Sequence, residues 1–258
     1  MSPSHLFLLA QDRSGSTWLK RTLDSHAQIG LYGELLNLGA RPWDSLGSSK
    51  YRITFGWMKE YLTRLGYLVV STTSDKALID SSLSRAVRLL STLSADYVGF
   101  KIILKYFQPK EKQLSFIHTF PQAKYLLLSR TDAFSGAISH FVGTSSGKWH
   151  SDRISMRQEH IFHIDPMIFQ VYLQQRQDQL LAIKKLLNAM DVAWLGVTYE
   201  QLLGSHQKEE LAKIAHFAKI PNDFQLSRLE KVTSRARAQK LIVNFDELEK
   251  LYGTGVLP

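Results

Sequence analysis

Leu6-Phe7-Leu8-Leu9-Ala10 is a short apolar run that breaks at Gln11-Asp12-Arg13-Ser14-Gly15-Ser16-Thr17 and resumes with Trp18, Leu19 and Leu23 at helical spacing. A buried strand, a tight glycine turn and a helix start in direct succession leave few architectures open, and an α/β fold is the first of them. The same succession builds an anion site. Free N–H groups and the positive end of the helix dipole converge on one spot. Gly15 allows close backbone approach because it has no Cβ. Ser14, Ser16 and Thr17 bring hydroxyl donors, and Arg13 brings a planar cationic fork suited to phosphate or sulfate. The plain alternative is a serine-rich strand–helix turn with ordinary capping.

The stretch is not the nucleotide-triphosphate loop G-x-x-x-x-G-K-[ST]: the first glycine is missing, and so is the lysine before the hydroxyl. With 258 residues, 44% of them hydrophobic and 21% charged, the chain can bury one full core, and a single domain over 1–258 is expected. No apolar run reaches the ~18 residues of a membrane span. The apolar stretch at 6–10 is too short for a signal peptide and runs straight into Arg13. The absence of cysteine fits a reducing compartment, so a cytoplasmic protein is expected. The formal charge of +9 and a pI near 9.6 suit a protein that handles anions. The basic residues are spread out, with one dense point at Arg235, Arg237 and Lys240, and no nucleic-acid module is recognisable. Nucleic acid is therefore not an expected partner.

Further along, the pattern predicts a first helix over 16–25 and a parallel second strand over 28–32, a βαβ unit ending in Gly33-Glu34. Arg13 and Glu34 each follow a strand end, so a cation and a carboxylate share the ligand-bearing edge of the sheet. An irregular loop is expected at 39–51, a helix at 54–65 and a weak strand at 68–70. A helix through Leu93 places Leu83, Val87 and Leu90 on one face. The run 97–104 reads as a buried strand interrupted by Lys101, which snorkels, lies at an edge or faces an anion. A short helix at 111–119 precedes the clearest later strand, 124–129, which ends in Arg130-Thr131-Asp132. The following helix carries Ala137, Ile138, Ser139, His140 and Phe141, and a Ser/Gly-rich loop is expected from Thr144 to His150. Asp165-Pro166 starts a long helix, with Ile168, Val171, Tyr172, Leu180, Ile183 and Leu187 at helical spacing. A strand at 192–198, a helix at 207–218 and a charged helical remainder complete the chain. Strands alternate with helices throughout, so the expected class is a three-layer α/β fold with a mostly parallel central sheet.

Arg13-Ser14-Gly15-Ser16-Thr17-Trp18-Leu19 resembles the phosphosulfate-binding loop of sulfotransferases that use 3′-phosphoadenylyl sulfate (PAPS), whose pattern is [KR]-S-G-[ST]-[ST]-[WL]-L. The resemblance extends to Arg130. In that family an arginine at a strand end and a serine on the next helix hold the 3′-phosphate. The commonest spacing puts the serine where this chain has Ile138. The trehalose 2-sulfotransferase type has R-x-D with the serine one residue later, which Arg130-Thr131-Asp132 and Ala137-Ile138-Ser139 match. That subgroup is also similar in Gly147-Lys148-Trp149-His150, in Tyr199-Glu200-Gln201-Leu202 and in the Gly33-Glu34 turn. The likeness covers most of the chain up to Leu203, on a P-loop-NTPase-like fold.

The resemblance implies PAPS as sulfuryl donor with no metal, and an acceptor hydroxyl on a carbohydrate, a glycolipid or a similar small molecule. It implies donor-binding roles for Arg13 to Trp18, Arg130 and Ser139, a catalytic role for Arg13, and a closing role for Arg235 or Arg237. It also implies Glu34 as general base, with its pKa raised by the anionic donor. His26, His140 and His150 are the fallback bases. His150, His160 and His163 form no recognised metal motif. Trp43, Trp57 and Trp149 would stack on sugar rings or simply pack. A homodimer is suggested by the resemblance alone. A small-molecule P-loop kinase and a non-catalytic nucleotide-binding module are the competing readings.

Overall fold

The computed structural model describes residues 3–34, 83–84, 86–108, 110–146, 160–226 and 234–253. Its frame is a five-stranded sheet in the order β2-β3-β1-β4-β5. The strands are β1 (Ser4–Ala10), β2 (Ile29–Tyr32), β3 (Tyr97–Ile103), β4 (Lys124–Ser129) and β5 (Trp194–Thr198). Every pairing is parallel. Parallel strands buried on both faces need near-continuous apolar sequence, and β1 supplies it: Leu6 to Ala10 are at most 1% exposed.

The pleat sorts these residues to two cores. Leu6, Leu8 and Ala10 of β1, with Leu126 and Leu128 of β4, face helix α1 (Ser16–Asp24) and helix α6 (Gln207–Ala218). Phe7 and Leu9, with Phe100, Ile102, Tyr125 and Leu127, face helix α2 (Lys110–Thr119) and the C-terminal half of helix α4 (Pro166–Ala189). A third cluster joins helix α3 (Ala133–Ser146) and the N-terminal half of α4 to helices α7 (Arg235–Leu241) and α8 (Phe245–Tyr252). The short helix α5 (Tyr199–Leu203) follows β5 directly and starts on a Thr198–Gln201 capping box.

The βαβ expectation for β1 and β2 holds in direction, with β3 inserted between them. The connection from β1 runs toward β2, whereas β4 lies on the other side of β1. The strand order therefore reverses between β1 and β4, and the crevice opens there. At the start of α4, the Asp165 side chain accepts from the N–H groups of Met167 and Ile168, with Pro166 in the first turn.

Three local expectations are corrected. The helix begun at Ala133 continues to Ser146, so Thr144 and Ser145 are helical rather than part of a loop. Val87 is 41% exposed; Leu83, Ala86 and Leu90 form the buried stripe instead. Ile168 and Val171 are exposed on α4, whose inner face is Phe169, Leu173 and Arg176. In the last two cases several faces of the helix carry apolar residues, and contact with the sheet or neighbouring helices selects one. The segments expected at 39–51, 54–65, 68–70 and 147–150 lie outside the described residues.

Candidate active site

The turn after β1 is held from within. The Ser14 hydroxyl donates to Gln11 O at 2.6 Å and is fully buried, so it closes the turn rather than offering itself to a ligand. Arg13 (φ 56°) and Gly15 (φ 77°) both sit in the left-handed region. Alternating hands of this kind turn successive N–H groups toward one concavity. Gly15 is the N-cap of α1, and no side chain caps it. A helix N-terminus of this kind suits an anion. Behind the loop, Trp18 packs into the α1-side core with Leu19 and Leu23.

Arg13 Nε donates to Ser139 Oγ at 2.9 Å, joining the first loop to α3. Arg130 follows β4, the neighbour of β1, and its Nη1 donates to Arg13 O at 3.1 Å. Arg13, Arg130 and Ser139 therefore meet in one place. Burial lowers the pKa of Arg13, with the nearby Arg130 charge acting in the same direction. An anion between them would relieve both effects.

The Tyr199-Glu200 pair organises both loops. A Cβ on Gly15 would lie 2.6 Å from the Tyr199 ring, and the Arg130 guanidinium lies 4.8 Å from that ring's centre. Glu200 accepts from the N–H groups of Thr131 (3.0 Å) and Asp132 (3.2 Å), fixing the turn after Arg130. Burial would raise the Glu200 pKa, but these N–H bonds outweigh it and hold the carboxyl below its usual value.

Glu34 follows β2 on the same sheet edge, separated from Arg13 by β3. Lys101 bridges them: its Nζ lies 2.8 Å from Glu34 Oε1 and donates to Thr17 Oγ1 at 3.1 Å. Lys101 is only 5% exposed and lies on an inner strand, so of the three readings of this lysine, contact with an anion describes it. Its signal was visible as the one charge inside an apolar strand.

Asp12 went unremarked in the sequence and proves to be a hub. Its carboxylate is bound by Arg176, takes the Tyr172 hydroxyl at 2.7 Å, and lies 2.9 Å from His140 Nδ1 and 3.5 Å from Lys105 Nζ. Burial would raise its pKa; His140, Arg176, Lys105 and Tyr172 together outweigh that and hold the carboxyl well below the aspartate range. These groups wall a cleft of about 280 Å³ with Tyr106, Gln175 and Gln179.

Other expected residues lie elsewhere. His26 follows the far end of α1 and is engaged by Pro221 O (3.1 Å) and Asp223 (2.6 Å). A helix length of ~14 Å separates it from the loop, which removes it as a base for this site. Arg235 donates to Glu249 at 2.6 Å and lies over Phe245, within the C-terminal helix pair. Arg237 is partly buried on α7, which packs on α3. His160 and His163 are exposed, and His150 is outside the described residues. Among the described residues, no group of three or more His, Asp or Glu is placed to hold a metal ion, and no helix is long and apolar enough to cross a membrane.

Residues 4–224 match a family model described as "Sulfotransferase family". No curated protein sequence matches significantly. Among solved structures, the chain is similar to a sulfotransferase from Alicyclobacillus acidocaldarius (TM-score 0.50, 16% identity, 98% of this chain and 97% of that one covered). It is equally similar to the sulfotransferase domain of the Synechococcus PCC 7002 olefin synthase (TM-score 0.50, 16% identity, 100% and 97% covered). At this identity the likeness speaks for the fold: an α/β, P-loop-like architecture.

Proposed function

Because the chain belongs to the sulfotransferase family, whose chemistry is sulfuryl transfer, we propose that it uses PAPS as donor and sulfates a hydroxyl of a carbohydrate, glycolipid or similar small acceptor. The observation that carries the reading is the hydrogen bond from Arg13 to Ser139, with Arg130 held against the Arg13 carbonyl. Two cationic loops from distant parts of the sequence converge over adjacent strand tips, as a nucleotide phosphorylated at both ends requires.

The residues present fit such a donor: an uncapped helix N-terminus, alternating left-handed residues and two partly buried arginines. When bound, PAPS supplies a sulfuryl group on a bisphosphate leaving group. The N–H groups of the 13–17 loop and the Arg13 guanidinium then stabilise charge developing on the 5′-phosphate oxygen. Arg130 and Ser139 hold the 3′-phosphate, and Arg235 or Arg237 closes over the nucleotide from the C-terminal region. Glu34 accepts the acceptor's proton. Lys101 pairs with Glu34 and donates to Thr17; a bound anionic donor would draw on that ammonium, and the Glu34 carboxylate would then be freer for proton uptake.

The cleft beside Asp12 suits the acceptor. Among the described residues its wall is aromatic, amide and charged, with no aliphatic side chain, which favours a hydroxyl-rich molecule over an acyl chain. This agrees with the trehalose 2-sulfotransferase type as the finer resemblance, without naming the sugar.

Titration calorimetry with adenosine 3′,5′-bisphosphate tests the donor. Binding that Arg13→Ala and Arg130→Ala each weaken supports the reading; no heat with the unaltered protein sinks it. Release of the bisphosphate from PAPS in the presence of a metal chelator separates transfer from magnesium-dependent kinase chemistry.

A further inference from the structure

Arg176 sits mid-way along α4, is only 4% exposed and belongs to no motif. Its Nη1 donates to the backbone carbonyl of Asp12 at 2.7 Å and to the Asp12 carboxylate, with the Tyr172 hydroxyl at 3.3 Å. Its own carbonyl accepts from Gln11 Nε2 at 3.0 Å, and Gln11 Oε1 accepts from the Arg130 N–H at 3.1 Å. One arginine and one glutamine thereby tie the ends of β1 and β4 to α4.

The carbonyl that Arg176 grips belongs to the peptide joining Asp12 to Arg13. The next peptide is held too, because the Arg13 carbonyl accepts from Arg130 Nη1 at 3.1 Å. Arg13 has φ 56° and is not glycine, a conformation costing about 1 kcal/mol or more, so the planes on either side of it must be restrained from outside. Arg176 restrains the first and Arg130 the second.

Stability alone does not account for Arg176. Its Nε and Nη2 are buried without hydrogen-bond partners among the described residues, and Nη2 is turned toward Gly136 of α3. Buried ionic pairs are often matched or bettered in stability by apolar residues. What an apolar residue cannot do is orient the Asp12–Arg13 peptide.

We propose that Arg176, seconded by Gln11, is the positioning residue of the donor loop: it fixes the left-handed backbone at Arg13 and so aims the loop N–H groups and the Arg13 side chain at the donor's phosphates. The proposal rests on the donor reading above. Lysine in this place keeps the charge but loses the planar fork.

The test is the affinity for adenosine 3′,5′-bisphosphate of the unaltered protein, Arg176→Lys and Gln11→Leu. Each is measured by calorimetry at a temperature where circular dichroism shows it fully folded. Affinity is expected to fall about tenfold in both variants, ~1.4 kcal/mol, even where the melting temperature changes little. A merely structural residue would lower the melting temperature and leave the affinity of the folded protein unchanged. If both variants bind within twofold of the unaltered protein, the proposal is overturned. If Arg176→Lys does not fold, Gln11→Leu alone decides by the same criterion. If the unaltered protein does not bind, the donor reading itself has failed and takes this inference with it.

Discussion

Replacing Gly15 with alanine puts a methyl group where the Tyr199 ring already is. The new Cβ would lie 2.6 and 2.7 Å from two ring carbons, at a backbone φ of 77°. The left-handed backbone costs an alanine roughly 1–2 kcal/mol. Carbon contacts settle near ~3.5–4 Å, so the ring must retreat by about 1 Å. That movement disturbs the contact with the Arg130 guanidinium, which lies 4.8 Å from the ring's centre. Losing that contact costs ~0.5–1 kcal/mol and an off-rotamer tyrosine ~0.5–1.5 kcal/mol. The total is roughly 2–4 kcal/mol, which for a chain of this size lowers the melting temperature by about 5–15 °C. Thermal denaturation of Gly15→Ala, Tyr199→Ala and the double variant checks the assignment. Removing the ring relieves the overlap but not the φ strain, so the two effects should fall short of additivity by about 1 kcal/mol or more. Simple additivity, or a Gly15→Ala protein that melts with the unaltered one, would refute the packing of Tyr199 on the loop.

Other expectations concern protons and charge. Glu34→Gln should tighten bisphosphate binding slightly, because Lys101 loses its competing carboxylate, while lowering turnover of PAPS by about 10²–10⁴-fold; equal turnover removes Glu34 as base. Lys101→Met should lower turnover too and weaken donor binding, measured as the KM for PAPS. Burial holds the Lys112 ammonium at about 8, with the Tyr106 carbonyl accepting from it at 2.9 Å. Between about 8 and 10.5 the unfolded chain carries a proton that the folded chain has released. Stability to urea should therefore rise with pH across that window, by up to ~1.4 kcal/mol per pH unit, and the slope should vanish in Lys112→Met. For Asp12 the sign is opposite: its folded pKa is depressed, so its contribution is present above ~pH 4 and lost as pH falls. Asp12→Asn should flatten that acid limb in urea titrations from pH 5 to 2.

Much of the fold was legible because its signals are local. The apolar run at Leu6–Ala10, the glycine at 15, the Asp165-Pro166 cap and the helix over 207–218 each depend on residues a few positions apart. The same holds for the loop motif that marked Arg13, and for Arg130 and Ser139, whose spacing spans one strand end and less than three helical turns.

What only the tertiary structure decided is which of these local pieces touch. No sequence rule places β3 between β1 and β2, yet that placement is what lets Lys101 reach both Thr17 and Glu34. Asp12 looked like one polar residue in a loop; four side chains from α3, α4 and the turn after β3 make it a hub. Ser14 matched the motif, but its hydroxyl turns inward, since a turn this tight needs an internal bond. Residue types and short-range geometry are written in the order of the chain, whereas contacts between buried charges depend on strand order and on which helix face is covered, and both arise only when the whole sheet is assembled.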